Sequence, residues 1–346
     1  MKSIRVAIGQ DNLGWHEKFA ASLAKKAGLG YPVEYNLVNL DSHSWIQNVE
    51  SSDVVIWHPH YMGIKKSSHF REKIYFLENH LGKVVVPNYN SVWHFESKIA
   101  QSYIFAAYGI KIPCTTVSFD YWDAIEQIQR TEMPLVFKES HGAGSHNVWL
   151  IKKRRHALQY LKRIFCGQIW HKSTITHNSI VHATLVSLIR PWFWQKLIHK
   201  LLGKESNEAS YWQEFIPGNE ADLRITVIGD RYAFGFWRNN RSNDFRASGS
   251  GLIDYKRAIP EEQLRYCLQV NKKLRFDTMA YDVLFSNDDF VINEISYGYL
   301  DTAIYKASGY YYLTNNGNIE FREGHIWPQE LWVEWALSRA ECELSQ

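Results

Sequence analysis

The first 88 residues alternate short apolar runs with helix-length segments, and this alternation restricts the chain to a mostly parallel α/β sheet at its start. IRVAIG (4–9) is an apolar run ending in glycine, followed by a helical stretch over Trp15–Lys26. VEYNLVNL (33–40) and DVVIWHP (53–59) are the second and third strands. A helix over Phe70–His80 leads into a fourth, GKVVVPN (82–88). The turn after the first strand reads GQDNLG, which lacks the GxGxxG spacing of a dinucleotide site.

Beyond this segment, Trp93–Tyr108 has helical character and stops at Gly109. IKIPCTTVSF enters a strand, Asp120–Arg130 is a helix, and MPLVFKESHGAGSHNVWLI (133–151) reads as strand, glycine loop, strand. From Tyr211 the pattern becomes β: YWQEFI, DLRITVIG, RYAFGFWR, YDVLF and FVINEIS are short runs split by turn signals such as Gly229-Asp230. Pro260–Phe276 is a helix with proline near its start, and Pro328–Cys342 a helix with Leu331, Trp332 and Trp335 as its buried stripe. There is no internal repeat and no low-complexity linker.

Composition excludes several classes. The four cysteines, at 114, 166, 267 and 342, make no CxxC pair, so neither a zinc nor a disulfide framework is indicated and a reduced cytosolic setting fits. The N-terminus is a strand rather than a signal peptide, and no run reaches the ~18 apolar residues of a spanning helix. The net charge of +3 conceals an asymmetry: residues 152–204 hold eleven Lys or Arg and no acid, against 28 basic and 36 acidic residues elsewhere. Within that block, LVSLIRPWFWQKLIHKLLGK (185–204) is amphipathic, broken at Pro191, and sets Trp192, Phe193 and Trp194 beside Arg190, Lys196 and Lys200. The block reads as a cation-rich face that grips an anionic substrate or as a membrane-surface helix. Nucleic-acid binding is the least favoured. Aromatic residues make up 15% of the chain, which suits large cores or grooves for polar ligands such as sugars.

Four constellations could carry chemistry. Lys138 ends an apolar strand before HGAGSHNV (141–148), where Gly142, Gly144 and Ser145 would let backbone N–H groups approach phosphate oxygens. WQEFIPGNEADLRITVIGD (212–230) joins an aromatic strand to one carrying Asp222 and Arg224. WRNNRSNDFRASGSG (237–251) places Arg238, Arg241 and Arg246 in a polar, glycine-ended loop suited to carboxylate or phosphate recognition. YDVLF (281–285) and FVINEIS (290–296) form a β-hairpin whose Asp282 and Glu294 could hold a hard cation. Strand side chains alternate faces, so the two acids share a face only if the loop has an odd number of residues. A three-residue loop at Asn287–Asp289 pairs 282 with 294 and 280 with Ser296. His58, His60 and His94 are candidates for lining an acceptor site.

The order of these elements (Lys98, Lys138 with its glycine loop, QEFI, DLR, DFRAS, then Asp282 and Glu294) resembles the ATP-grasp superfamily over roughly residues 90–300. The similarity is to its carboxylate–amine ligases, the branch of glutathione synthetase and the glutamate-adding ribosomal-protein ligase. The resemblance implies an α/β (α+β) ATP-grasp fold: a Rossmann-like pre-ATP-grasp lobe (1–87), a small lobe and lid (88–212, with the basic insertion 152–204) and a large C-terminal lobe (213–346), the last two gripping ATP. It implies Lys98, Lys138, Gly142, Gly144 and Ser145 at the phosphates, and Glu214, Phe215 and Ile216 at adenine. It places Asp222, or alternatively Glu220, near the ribose, Arg224 and Arg246 at the transferring phosphoryl group, and Asp282, Glu294 and Ser296 around Mg2+. Ser296 stands where the family has asparagine. The implied activity is ADP-forming amide synthesis through an acyl phosphate, in the cytoplasm. FESKIAQSYIFAAYGIKIP (95–113) and RASGSG further resemble ATP-grasp proteins of surface-polysaccharide biosynthesis. That implies small carboxylate and amine substrates, an amino sugar or lipid-linked glycan among them, and a peripheral position at the inner face of the membrane. A phosphotransferase and a catalytically silent ATP-binding scaffold remain as alternatives.

Overall fold

Four parallel strands open the chain: β1 (Ile4–Gly9), β2 (Val33–Val38), β3 (Val54–Ile56) and β4 (Val84–Val86), in the order β2-β1-β3-β4. This is a computed structural model; it describes residues 3–59, 64–139, 148–165, 209–242, 244–247, 249–287 and 289–344. The connecting helices are α1 (Trp15–Gly28), α2 (Trp45–Glu50) and α3 (Ile64–Asn79). Asp11 starts α1: its carboxylate accepts from the amides of Leu13, Trp15 and His16 at 2.7, 3.2 and 2.8 Å. The last two are orphan donors of the helix N-terminus. Helix α4 (Tyr89–Val92), capped by Asn88, follows.

The chain divides into two compact units, one formed by Met1–Phe95 with Gly218–Gln346, the other by Glu96–Pro217. In the first unit a seven-stranded sheet runs β13-β12-β9-β10-β14-β15, with β11 paired to β10. Its strands are β9 (Ala221–Ile228), β10 (Tyr232–Asn239), β11 (Ile253–Asp254), β12 (Thr278–Ser286), β13 (Asp289–Ser296), β14 (Gly309–Leu313) and β15 (Ile319–Glu323). Helices α8 (Glu261–Leu274), α9 (Asp301–Tyr305) and α10 (Pro328–Leu344) complete it. Leu331, Trp332, Val333, Ala336, Leu337 and Ala340 of α10 share one core with Phe19 and Leu23 of α1 and with valines and isoleucines of β1, β3 and β4. Each large side chain buried there contributes about 1.5–3 kcal/mol. Polar ties accompany the packing. Asp277 accepts from the Asn88 amide (2.7 Å), the Trp335 indole (2.7 Å) and Arg339 (2.9 Å).

The second unit holds an antiparallel sheet, order β5-β8-β6-β7, of β5 (Thr115–Ser118), β6 (Leu135–Lys138), β7 (Val148–Ile151) and β8 (Ser210–Glu214). Helices α6 (Tyr121–Arg130) and α7 (Arg154–Ile164) cover it, their Ile128 and Leu161 sharing a core with Phe137 of β6 and Trp212 of β8. Helix α5 (Lys98–Tyr108) begins at a Ser97 cap, five residues later than the sequence indicates, and ends at Gly109 with φ 61°. The preceding Glu96 has φ 58°, which interrupts any continuous helix from Trp93. No described helix is long and apolar enough to cross a membrane. The amphipathic segment 185–204 lies outside the described residues.

Candidate active site

Strands β9, β10 and β12 bring four charged side chains to one face of the seven-stranded sheet. Asp222 stands opposite Arg238, and Arg224 opposite Asp282. Residues 222 and 224 share a face because strand side chains alternate. Arg224 donates from Nε to Asp282 Oδ1 at 2.8 Å and from Nη2 to Oδ2 at 2.9 Å. Arg238 donates from Nε to Asp222 Oδ1 (2.7 Å) and from Nη2 to Asp222 Oδ2 (2.5 Å), and the same Nη2 lies 2.7 Å from Asp282 Oδ2. All four are largely shielded from solvent, their side chains retaining 6–18% exposure.

The low-polarity setting acts differently on the two acids. Burial pushes Asp282 up, but the charges of Arg224 and Arg238 outweigh it and hold the carboxyl below its ordinary range. Burial also raises Asp222, and there the negative charge of Asp282 works against the pull of Arg238, leaving it above that range. Burial would lower Arg238, yet Asp282 and Asp222 together raise it, so its positive charge is permanent.

The β12–β13 hairpin places Glu294 opposite Asp282 and Ser296 opposite Ala280. The expected pairing is present, but its cause differs from the expected three-residue loop. Ser286 pairs with Asp289, leaving an even, two-residue connection that alone would split the acids between faces. The ladder shifts between Asp282 and Val283: Val283 pairs with Ile292 and Asp282 with Glu294, so Asn293 is an extra residue in the strand. This β-bulge restores the shared face. The Ser296 hydroxyl donates to the Gly298 carbonyl at 2.9 Å. Among the described residues no group of three or more His, Cys, Asp or Glu is arranged to hold a metal. Asp282 and Glu294 stand opposite each other with Ser296 two residues on, and oxygen atoms of these types have the chemistry magnesium accepts alongside its own waters.

Other candidates occupy different settings. Arg246 is paired with its neighbour Asp244 at 2.7 Å. Glu220 is exposed just before β9, its carbonyl accepting from the Asn240 amide at 2.9 Å. In the second unit, Lys138 closes β6 beside Val148, and Lys98 opens α5; both are buried. Glu214 ends β8 opposite Leu135 and accepts from the Cys114 amide at 2.8 Å, while Phe215 and Ile216 continue half-buried beyond it. Gly142, Gly144 and Ser145 lie outside the described residues.

The first unit also carries a cleft of about 1080 Å³ at the carboxyl ends of β1, β2 and β3, lined by Gln10, Asn12, Asn39, Trp45, Trp57, His58 and Lys73 among others. Chain order reverses across β1, the position where open α/β sheets accept ligands. Gly9 is obligatory there: a Cβ would lie 2.5 Å from the Trp57 ring. His58 stacks on Trp15 at 3.8 Å, and its neighbour Pro59 receives a hydrogen bond from Tyr297, the residue after Ser296. His60 is outside the described residues. His94 is not a lining residue: it is fully buried, and burial with the charge of Arg71 pushes it down to about 3.

Comparison with known proteins settles the architecture. The chain is 24% identical over 285 residues to the α-aminoadipate–LysW ligase LysX of Saccharolobus solfataricus, covering 82% of this chain and 88% of that one. It superposes on an ATP-grasp ligase associated with ribosomally made peptides from Chryseobacterium gregarium, in complex with ADP and a leader and core peptide. The TM-score is 0.57 at 14% identity, over 97% of both chains. D-alanine–D-alanine ligase of Bacillus anthracis, in complex with ATP, superposes with TM-score 0.55 at 13% identity, over 99% of this chain and 100% of that one. The chain has the ATP-grasp fold. It matches no protein-family model.

Arg238, read from the sequence both as the end of the β run RYAFGFWR and as part of the following loop, is a strand residue of β10 and the hub of the charged cluster. The signal was present. The β9–β10 turn is centred on Asp230, and equal steps outward along the two strands reach Asp222 and Arg238 together. Asp222, expected near a ribose, has both carboxylate oxygens bonded to Arg238.

Proposed function

We propose that this ATP-grasp protein is an ATP- and magnesium-dependent ligase that activates a carboxylate as an acyl phosphate and joins it to an amine, releasing ADP and phosphate. The observation that carries this reading is Asp282 opposite Glu294, with Arg224 and Arg238 bonded to Asp282 on the same face. A carboxylate is inert toward an amine at neutral pH, and phosphorylation supplies the leaving group. Phosphoryl transfer is catalysed mainly by positioning and neutralisation of charge, which needs cations and carboxylates but no protein nucleophile.

In this reading Lys98 and Lys138 contact phosphate oxygens together with the 141–148 loop. Glu214, Phe215 and Ile216 present backbone to adenine, and Glu220 serves the ribose now that Asp222 is bonded to Arg238. Arg224 and Arg246 neutralise charge on the transferring phosphoryl group. Asp282 and Glu294, with Ser296 or a water, would hold magnesium, which would supply positive charge beside the phosphates. The functional lobes correspond to 1–87, 88–212 and 213–346.

The cleft beside Tyr297 supports an organic substrate in the first unit. Its indole rings with Gln10, Asn12 and Asn39 suit a hydroxylated, amine-bearing ring, in keeping with an amino sugar of a surface glycan. Two of the relatives, the α-aminoadipate–LysW and the D-alanine–D-alanine ligases, carry amino acids in their names, so an amino acid is the partner we assign to the other substrate position. The basic segment 185–204 serves as lid or as contact with an anionic membrane surface. Ser296 favours a second reading, a silent nucleotide-binding scaffold; the four-residue charged cluster favours the enzyme.

The test is ADP and phosphate release with ATP, Mg2+ and panels of amino acids and amino sugars. A dependent pair should give turnover that Glu294→Ala lowers by at least ~10²-fold. A chain that binds ATP yet gives no turnover with any carboxylate–amine pair is the scaffold.

A further inference from the structure

Asp282 has two guanidinium partners, and they are not equivalent. Arg238 is held by two carboxylates through both Nε and Nη2, and its side chain keeps 9% exposure. Its strand partner Asp222 is equally shielded, so withdrawing Arg238 would leave two buried carboxylates facing each other. Arg224 hydrogen-bonds to Asp282 alone among the described residues, and at 18% exposure it is the most accessible of the four.

Charge separates the two further. A divalent cation brought to Asp282 meets two guanidinium charges already there, and like-charge repulsion in this poorly solvated place favours release of one of them. The residue that can leave is the one with a single partner and access to water.

We propose that Arg238 is the positioning residue of this site and Arg224 its displaceable counter-cation. A divalent cation at Asp282 and Glu294 takes the place of Arg224, while Arg238 stays bonded to Asp222 and Asp282. The freed guanidinium of Arg224 is then available to the developing charge on a phosphoryl group. The cation therefore has to arrive before Arg224 can act. This rests on the metal role given to Asp282 and Glu294 above.

The experiment is direct Mn2+ binding to the full chain without nucleotide, by calorimetry and by the electron spin resonance of free Mn2+. Arg224→Gln removes a competitor and should bind Mn2+ several-fold more tightly than the wild type. Arg238→Lys keeps the charge but not the two-pronged geometry, and should bind about 10–100-fold more weakly while keeping a native circular-dichroism spectrum. Arg238→Gln should weaken binding further, read only if it folds by the same spectrum. Opposite signs for the two arginines are the signature, because damage to packing alone would weaken both. Arg224→Gln binding no tighter, Arg238→Lys binding as wild type, or no Mn2+ binding in any chain would overturn the proposal. The two readings fail separately. Opposite shifts in a protein with no turnover sink the ligase assignment alone. Glu294-dependent turnover with unshifted Mn2+ affinity sinks this one.

Discussion

Asp282 faces Glu294 because Asn293 is a surplus residue in β13, not because of the turn that joins the two strands. Deleting Asn293 removes the bulge yet leaves Val283 opposite Ile292 and Asp282 opposite Glu294. The shortened chain is expected to fold and to keep Mn2+ affinity within about tenfold of wild type, whereas Glu294→Gln loses it. Calorimetric titration of both variants checks this.

Arg238→Met strips the counter-charge from Asp222 and from one side of Asp282. Breaking a buried pair by removing one partner costs about 3–5 kcal/mol. The double variant Asp222→Leu with Arg238→Met replaces the pair by apolar groups and should recover much of that loss. Urea denaturation monitored by tryptophan fluorescence measures both.

Glu78 gives the protein a pH dependence. Burial raises its carboxyl to about 7, and the negative charge of Asp277 adds to the shift against the opposing Tyr89 amide and Arg339. The folded value lies above the unfolded one. The stability it contributes is therefore complete below about pH 4.5 and lost as pH rises through 7. Glu78→Gln should leave stability at pH 5 nearly unchanged and raise it at pH 8 by about 2 kcal/mol. Melting curves at the two pH values decide it, and an equal gain at both would point to packing instead.

Gly9→Ala tests the cleft. The added methyl meets Trp57 at 2.5 Å and Leu40 at 2.8 Å, and Trp57 is nearly buried. Overpacking of this kind costs about 1–3 kcal/mol. A fall in melting temperature is expected, with weaker binding of whichever substrate occupies the cleft.

The parallel sheet was legible because IRVAIG, DVVIWHP and GKVVVPN are apolar on both faces, as strands covered on both sides must be. The pairing of Asp282 with Glu294 was legible as an outcome but not in its mechanism. A bulge is fixed by how β12 also pairs with β9, and no local residue type announces it. Arg238 was legible as the end of the run RYAFGFWR, but its polar neighbours Asn239 and Asn240 suited a loop equally well. The stripe on α10 showed that the helix is buried but not against what, because periodicity identifies a face and not its partner.

That partner has a consequence for how the protein is made. The core under α1, β1, β3 and β4 is closed by Trp332, Leu337 and Ala340, about three hundred residues downstream. At ribosomal elongation rates of about 5–20 residues per second, the nascent N-terminal sheet waits tens of seconds with one apolar surface uncovered. A ribosome stalled before Pro328 should therefore display a segment that chaperones bind and proteases cut, and release of the last helix should end both.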